Sequence, residues 1–333
     1  EADPAFGAGL RIHAGYAQVD ADLSEALNVN FGVRYESARE EVYPIQVFTV
    51  ASNSGASNML KKKYWLPTAT VTWKLNPDMQ FRFNASKTIA RPQFREMIYQ
   101  SYYDPESNTQ FRGNPLLKDS QLYNAEARYE WYFARDQRLS FAAFYKKIDS
   151  PIETFIYPEG DNSIITSFAN APSANLYGAE IETQKYFNLD SVSDAAFFAT
   201  RRLAAVANYT YTKSKLKVSD ADSVSIYGVP AGEASLATNY FRNGAPLTGQ
   251  SDHIVNLQFG LEDTESLSQQ TLLLTYASKR VTRRGLTGQP DIVEEPGIRL
   301  DFVARQGIKI GGVDTELKVE ARNITGQKYK EYQ

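Results

Sequence analysis

The sequence predicts an all-β fold, an antiparallel up-and-down meander of about twelve strands. Three observations carry this reading. Apolar and non-apolar residues alternate with a period of two through most of the 333 residues, and no stretch holds a helical period. Connections of a few residues alternate with excursions of roughly ten to thirty-five, far above the usual loop length, so short turns share one end and long loops the other. The non-apolar side of each strand carries Arg, Glu, Asn, Thr and Gln almost without relief.

Residues 8–23 read as the first strand, turning at Asp22-Leu23-Ser24-Glu25. Val29, Phe31, Val33 and Tyr35 then alternate with Asn30, Gly32, Arg34 and Glu36. A polar Ser/Asn/Gly segment around 52–58 leads to a strand with Trp65, Pro67, Ala69, Val71, Trp73 and Leu75 on one side. Asn76-Pro77-Asp78 is a tight turn signal, because Asn and Asp bond their own backbone and Pro presets φ. Phe81, Phe83 and Ala85 alternate with Gln80, Arg82, Asn84 and Ser86. The chain then leaves period two from Thr88 to Met97, crosses a tyrosine-rich segment and closes on Gly113-Asn114-Pro115-Leu116-Leu117.

Tyr123, Ala125, Ala127, Tyr129, Trp131 and Phe133 mark the next strand, which turns at Ala134-Arg135-Asp136-Gln137. Residues 138–157 and 163–187 are each expected to run as one strand, separated by a polar tip at 159–162. Leu203, Ala205, Ala207, Tyr209 and Tyr211 follow a turn region at 188–194. The longest irregular stretch is 214–248. Val255, Leu257, Phe259 and Leu261 precede a turn at Glu262-Asp263-Thr264-Glu265, and residues 269–283 return. A Gly/Pro-rich segment at 285–296 leads to Ile298, Leu300, Phe302 and Ala304, then a Gly311-Gly312 turn and Leu317, Val319 and Ala321.

Composition excludes several classes. Lys+Arg is 36 against Asp+Glu 39, a net charge of -3 that argues against general nucleic-acid binding. There are no cysteines, hence no disulfide framework and no thiolate chemistry. Glu1-Ala2-Asp3-Pro4 has neither the basic nor the apolar segment of a signal peptide. No run approaches the roughly 18 apolar residues of a membrane helix, which leaves membrane barrels open because their strands alternate.

The chain has 21 Tyr and 18 Phe; the apolar sides mix Tyr, Trp and Ala with aliphatics, and aromatics gather near strand ends, at Tyr129, Trp131 and Phe133 and at Tyr209 and Tyr211. An outer-membrane barrel has this pattern: lipid outside, a polar lumen, and aromatic girdles at the interfaces. A soluble antiparallel sheet with one wet face is the alternative. A sandwich, with mixed loop lengths at both ends, and a propeller, with a fixed period, fit less well.

The ordered motifs add up to a resemblance. They are Tyr64-Trp65-Leu66-Pro67, Phe81 to Pro92, Gly113 to Leu117, Phe144-Tyr145-Lys146-Lys147-Ile148, Gly178-Ala179-Glu180-Ile181-Glu182, Asn208-Tyr209-Thr210-Tyr211-Thr212, Gly249 to Asn256, and Arg322-Asn323-Ile324-Thr325 with Tyr329. The chain resembles the barrel of TonB-dependent outer-membrane receptors, especially the branch abundant in Caulobacter- and Xanthomonas-like bacteria. The resemblance implies a 22-stranded barrel of which residues 1–333 are a partial, C-terminal portion, with the plug domain, TonB box and final strand absent. It implies an energy-coupled uptake receptor in the Gram-negative outer membrane, for a nutrient such as an oligosaccharide or siderophore. Its partners would be outer-membrane lipid, its own plug domain and, through the intact parent, the TonB-ExbB-ExbD system. A soluble β-rich carbohydrate-active enzyme and a passive porin are the alternative functions.

No catalytic residues, cofactor or metal site are expected. Ser251-Asp252-His253 has the residue types of a triad, but consecutive strand residues point to opposite faces. Asp220 and Asp222 lack the glycine and distal Glu of a calcium loop. Glu180 and Glu182 share a strand face, which suits a lumen wall better than a pair of glycosidase acids. Candidate ligand-binding residues lie in the loops: Tyr99, Tyr102, Tyr103, Tyr227, Tyr240 and Phe241, whose rings can stack on sugars or aromatic siderophores. Packing of the loops by their own tyrosines explains the same rings. Arg91, Arg95 and Arg112 could hold an anion or brace loop carboxylates. Both terminal strands are expected to lack a neighbour, leaving an open half-barrel that does not transport alone.

Overall fold

The computed structural model describes residues 5–47, 56–105, 109–159, 163–193 and 195–333. In chain order the strands are β1 (Ala5–Ser24), β2 (Leu27–Ile45), β3 (Asn58–Asn76), β4 (Met79–Ala90), β5 (Ser101–Asp104), β6 (Thr109–Arg112), β7 (Ser120–Ala134), β8 (Gln137–Asp149), β9 (Ile152–Glu159) and β10 (Ser163–Asn170). They continue as β11 (Ser173–Asn188), β12 (Arg201–Lys217), β13 (His253–Asp263), β14 (Ser268–Ala277), β15 (Arg280–Arg283), β16 (Ile292–Glu294), β17 (Gly297–Ile310), β18 (Val313–Ala321) and β19 (Glu331–Tyr332). Two one-turn α-helices, α1 (Phe94–Met97) and α2 (Ala196–Ala199), interrupt them, and two 3-10 turns, Glu233–Ser235 and Ala237–Asn239, lie between β12 and β13.

Twelve strands form one antiparallel sheet in the order β1-β2-β3-β4-β7-β8-β11-β12-β13-β14-β17-β18. Every neighbour in that order is also the next barrel strand in sequence, so the sheet is a pure meander. β1 and β18 do not pair, and the sheet is open, as expected. The hairpins β1–β2, β3–β4, β7–β8 and β17–β18 close on two-residue turns at one end, and the connections over 91–119, 150–172, 218–252 and 278–296 all leave from the other. Residues 52–55 of the polar segment and 160–162 of the polar tip fall outside the described residues, and Asn58 already opens β3.

Register sorts the residues into two faces. The row Phe31, Ala69, Ala85, Ala125 and Tyr145 runs cross-strand on one face. The row Asn30, Thr70, Asn84 and Glu126 runs on the other. The apolar face is largely exposed, with Trp65 63%, Phe31 51% and Phe259 54% uncovered, a distribution that only a hydrocarbon surround makes favourable. Aromatics border it twice: Tyr35, Trp65, Tyr123 and Tyr145 toward the long loops, Trp73, Phe81, Tyr129 and Trp131 toward the short turns. The polar face carries a ladder of ion pairs across β4, β7, β8 and β11. Arg82 lies 3.5 Å from Glu130, Arg128 lies 3.0 Å from Glu126 and 3.8 Å from Glu180, and Arg138 pairs with Glu182. Glu180 and Glu182 are therefore wall residues with committed partners.

The expected single strands over 138–157, 163–187 and 269–283 are each divided. At Ser150 the backbone turns left-handed (φ 57°), and Pro151 and Pro172, which have no N–H, stand where the ladder would continue. Ser150 N–H donates to the Pro172 carbonyl at 3.1 Å and Ala171 N–H to Pro151 at 2.8 Å, closing the neck of the excursion. The detached halves belong to the loop region. β5-β6-β10-β9 form a four-stranded sheet there, and β15-β16-β19 a three-stranded one. Two clusters of buried apolar side chains join this cap to the ends of the barrel strands beneath it. Phe155, Leu216, Val224 and Phe241 centre one, and Met97, Leu117, Phe168 and Val42 the other.

Candidate functional site

A cavity of about 300 Å³ lies where four loop excursions meet. The connection after β4 contributes Tyr99, Arg112 and Asn114, the one after β8 Phe155, Tyr157, Glu159 and Ser167, the one after β12 Tyr227 and Tyr240, and the one after β14 Leu286.

Gly113 and Asn114 hold the first loop in place. A Cβ on Gly113 would fall 2.4 Å from the Ile98 carbonyl and 2.7 Å from that of Glu96, so only glycine lets the backbone approach α1 this closely. Gly113 N–H donates to Ile98 at 3.0 Å and Asn114 N–H to Glu96 at 2.6 Å. The Asn114 side chain bridges three excursions. Its amide donates to the Phe168 carbonyl (3.0 Å) and the Ser225 carbonyl (2.8 Å), and its oxygen accepts from Tyr227 N–H (3.2 Å).

Four aromatic rings and one ion pair shape the cavity wall. Tyr99 and Tyr227 pack with centroids 4.5 Å apart and planes 59° apart. Phe155 and Tyr240 meet edge to face at 5.2 Å. The Arg112 guanidinium lies 5.6 Å from the Tyr99 ring centre. It donates to Glu159 Oε2 at 2.8 Å and also to Oε1, to Ser101 Oγ at 2.8 Å, and to the Tyr157 hydroxyl at 3.2 Å. Burial pushes the Tyr157 and Tyr240 phenols up, so both stay neutral hydrogen-bond donors at any physiological pH. Arg112 and Glu159 are the only charged residues lining the cavity among the described residues, and they neutralise each other.

Of the nine residues expected in the loops from sequence, the structure brings Tyr99, Arg112, Tyr227 and Tyr240 together. Arg91 stands at the neck of the barrel, paired with Glu36, and lines a separate cavity of about 330 Å³ with Glu96 and Glu153. Tyr102 stacks on Phe111 at 5.4 Å, which in turn stacks on Phe168, so it packs the loop sheet. Phe241 is core, at 1% exposure. Arg95 and Tyr103 are exposed outside either cavity. Sequence reading passed over Phe155, Tyr157, Glu159 and Asn114. Phe155 and Tyr157 fall within the strand expected over 138–157 and Glu159 in the polar tip after it, although Ser150-Pro151 signals a break before all three.

The other constellations have structural partners. Ser251 donates to the Ser278 carbonyl at 2.7 Å, Asp252 pairs with Lys213, and His253 Nδ1 lies 2.9 Å from the Tyr209 hydroxyl, so the three side chains diverge. Asp222 accepts from Ser219 N–H at 2.7 Å and Oγ at 2.8 Å, a local turn. Among the described residues, no group of three or more His, Asp or Glu side chains is placed to hold a metal ion.

The family described as TonB dependent receptor-like, beta-barrel, matches residues 4–298. No sequence relative is found among curated proteins. Similar solved structures include the FrpB iron transporter from Neisseria meningitidis, F3-3 variant, with 13% identity and a TM-score of 0.58 over 98% of this chain and 42% of that one. The siderophore receptor PirA from Acinetobacter baumannii is 14% identical, with a TM-score of 0.54 over 95% of this chain and 42% of its own. The copper transporter OprC is 10% identical, with a TM-score of 0.64 over 97% and 43%. At such identities the likeness concerns the fold, and the chain spans less than half the length of each of these proteins.

Proposed function

The chain belongs to the TonB-dependent receptor β-barrel family, and from that premise we propose that it supplies part of the barrel and the ligand-capturing loop cap of an energy-coupled nutrient receptor. Its place is the outer membrane of a Gram-negative bacterium, and its family is one of transporters, not enzymes. In the intact receptor the polar wall would face a plug domain, and the TonB system would supply the work that moves the plug. The cap would select the cargo.

The observation that carries this reading is the convergence of four loops on one aromatic cavity. The cargo that suits it best is an oligosaccharide. Tyr99, Tyr227, Tyr240 and Phe155 offer faces and edges for CH contacts with sugar rings, and Ser167 and the Arg112–Glu159 pair offer directional hydrogen bonds. A highly charged anionic chelate would meet no net positive charge there. A siderophore is the second reading, favoured by the neighbours that are iron and siderophore receptors and by the cation that Arg112 could redirect. Binding measured by calorimetry on a panel of neutral oligosaccharides and ferric siderophores tests both. Tyr227→Ala should weaken oligosaccharide binding about fivefold or more, from the loss of one aromatic contact of order 1 kcal/mol. Failure of every panel member to bind, with the cap intact by hydrogen exchange, would overturn the reading.

A further inference from the structure

We propose that the outer wall of the barrel carries a binding site for a phosphorylated acyl lipid, centred on Lys87, Tyr123 and Lys147. Strand register sets the three side by side. Lys87 on β4 pairs with Tyr123 on β7, and Tyr123 pairs with Lys147 on β8. All three alternate in phase with Ala85, Ala125 and Tyr145, so they stand on the lipid-facing side, at the aromatic border nearest the long loops.

Two cations converge on one ring. Lys87 Nζ lies 5.3 Å and Lys147 Nζ 5.8 Å from the centre of Tyr123. A single carboxylate, Asp149, stands 3.2 Å from Lys147. Lys87 makes no ion pair among the described residues, so the group keeps an excess positive charge that an anion would offset. The neighbouring strands add to it. Arg11 and Lys61 flank Arg39 in one cross-strand row, and among the described residues only Arg39 of these three has a carboxylate partner, Glu41. Clusters of this kind at headgroup level attract anionic lipid, and lysine stems reach such a depth readily.

An independent feature lies on the bilayer side of these three strands and the adjoining β3. A groove of about 550 Å³ is floored by Ala69, Ala85, Ala125, Ala127 and Ala143 and walled by Phe83 and Tyr145. The alanines oppose one another in register, Ala69 with Ala85, Ala85 with Ala125, and Ala127 with Ala143. Methyl side chains therefore replace bulky ones in adjacent pairs and leave a trough in a surface that otherwise bristles with aromatics. Free phosphate would need the lysines alone. A pair of lysines two residues along the strands from a hydrocarbon-lined trough suits a molecule carrying both a phosphate and acyl chains.

The site is separate from the loop cavity, so its test does not depend on the cargo. Protein purified from membranes in neutral detergent would be examined by native mass spectrometry with diacyl phosphatidic acid, diacyl phosphatidylcholine and inorganic phosphate. Phosphatidic acid should be retained, phosphatidylcholine should not, and inorganic phosphate should not displace the lipid. The double variant Lys87→Gln/Lys147→Gln should lower retention about tenfold or more, as expected for two headgroup-level cations, and Lys87→Arg should keep it. Ala125→Phe fills the trough without touching the charges and should lower retention as well, with folding checked by heat-dependent gel mobility. Equal retention of both lipids, displacement by inorganic phosphate, or unchanged retention in both the charge and the groove variants would overturn the proposal.

Discussion

Arg284 and Glu153 sit on different loops, are 1% and 2% exposed, and meet at 3.1 Å. The Glu153 carboxylate also accepts from Thr248 N–H at 3.1 and 3.2 Å, and Arg284 reaches Asp291 at 3.3 Å. One ion pair thus joins the excursions after β8, β12 and β14. Burial pushes the Glu153 carboxyl up, while Arg284 and the Thr248 amide hold it down. Removing one partner strands a buried charge. Arg284→Met should cost the cap about 3–5 kcal/mol, and Arg284→Met/Glu153→Leu should recover part of it. Hydrogen exchange over residues 150–172 and 278–296 reads the effect. Equal exchange in wild type and the single variant would refute the clamp.

Acid should tighten the junction between barrel and cap. Glu40 lies five residues beyond Tyr35, past the aromatic border, and is 3% exposed with Oε2 lacking a hydrogen-bond partner. Burial, then the nearby charge of Asp119, pushes its carboxyl up to about 7, with Arg91 opposing and Glu96 adding a smaller push. The folded form therefore holds a proton that the unfolded chain releases near 4.5. Stability at this site is greatest at low pH and falls as pH rises from the unfolded toward the folded value. Proteolysis of the 91–119 loop should be slower at pH 5.5 than at pH 8, and Glu40→Gln should flatten the difference.

The two faces of the sheet should respond oppositely to charge. Phe83 is 46% exposed on the apolar side, whereas Asn84 donates to Thr70 Oγ1 at 2.8 Å on the polar side. Phe83→Arg should destabilise the protein in liposomes by about 2–4 kcal/mol, and Asn84→Arg by much less. Urea unfolding followed by tryptophan fluorescence distinguishes them. Similar losses for both would contradict the assignment of lumen and lipid faces.

Gly178 is a sensitive point in the wall. It pairs with Phe144, and a Cβ there would lie 2.1 Å from the Tyr211 carbonyl and 2.6 Å from the Phe144 ring. Gly178→Val should separate β11 from β12 or expel the Phe144 ring, lowering the unfolding midpoint. Gly15→Val has open space and serves as the control.

Sequence reading went furthest where a local period reports a global surround. Phe81, Phe83 and Ala85 alternate with Arg82 and Asn84 because each strand borders lipid on one side and a polar lumen on the other, so strand number, meander order and facing were legible. It went astray where the same alternation served another sheet. Phe155 and Tyr157 fall in phase with Phe141, Ala143 and Tyr145 of β8, yet β9 pairs with β10 in the cap. The candidate site was legible by type and only partly by member. Tyr99 and Phe241 look alike in sequence, but one lines the cavity and the other is core.

What the sequence by itself determined is the wall: an alternating strand has one apolar side whatever its neighbours are, and turn length sets which strands pair. The cap was decided only by tertiary structure. Its residues come from four excursions separated by tens of positions, and Asn114, Arg112 and Arg284 find partners 45 to 131 residues away. A buried polar side chain must be satisfied by whatever the folded chain brings near it, and no local pattern records which loop that will be.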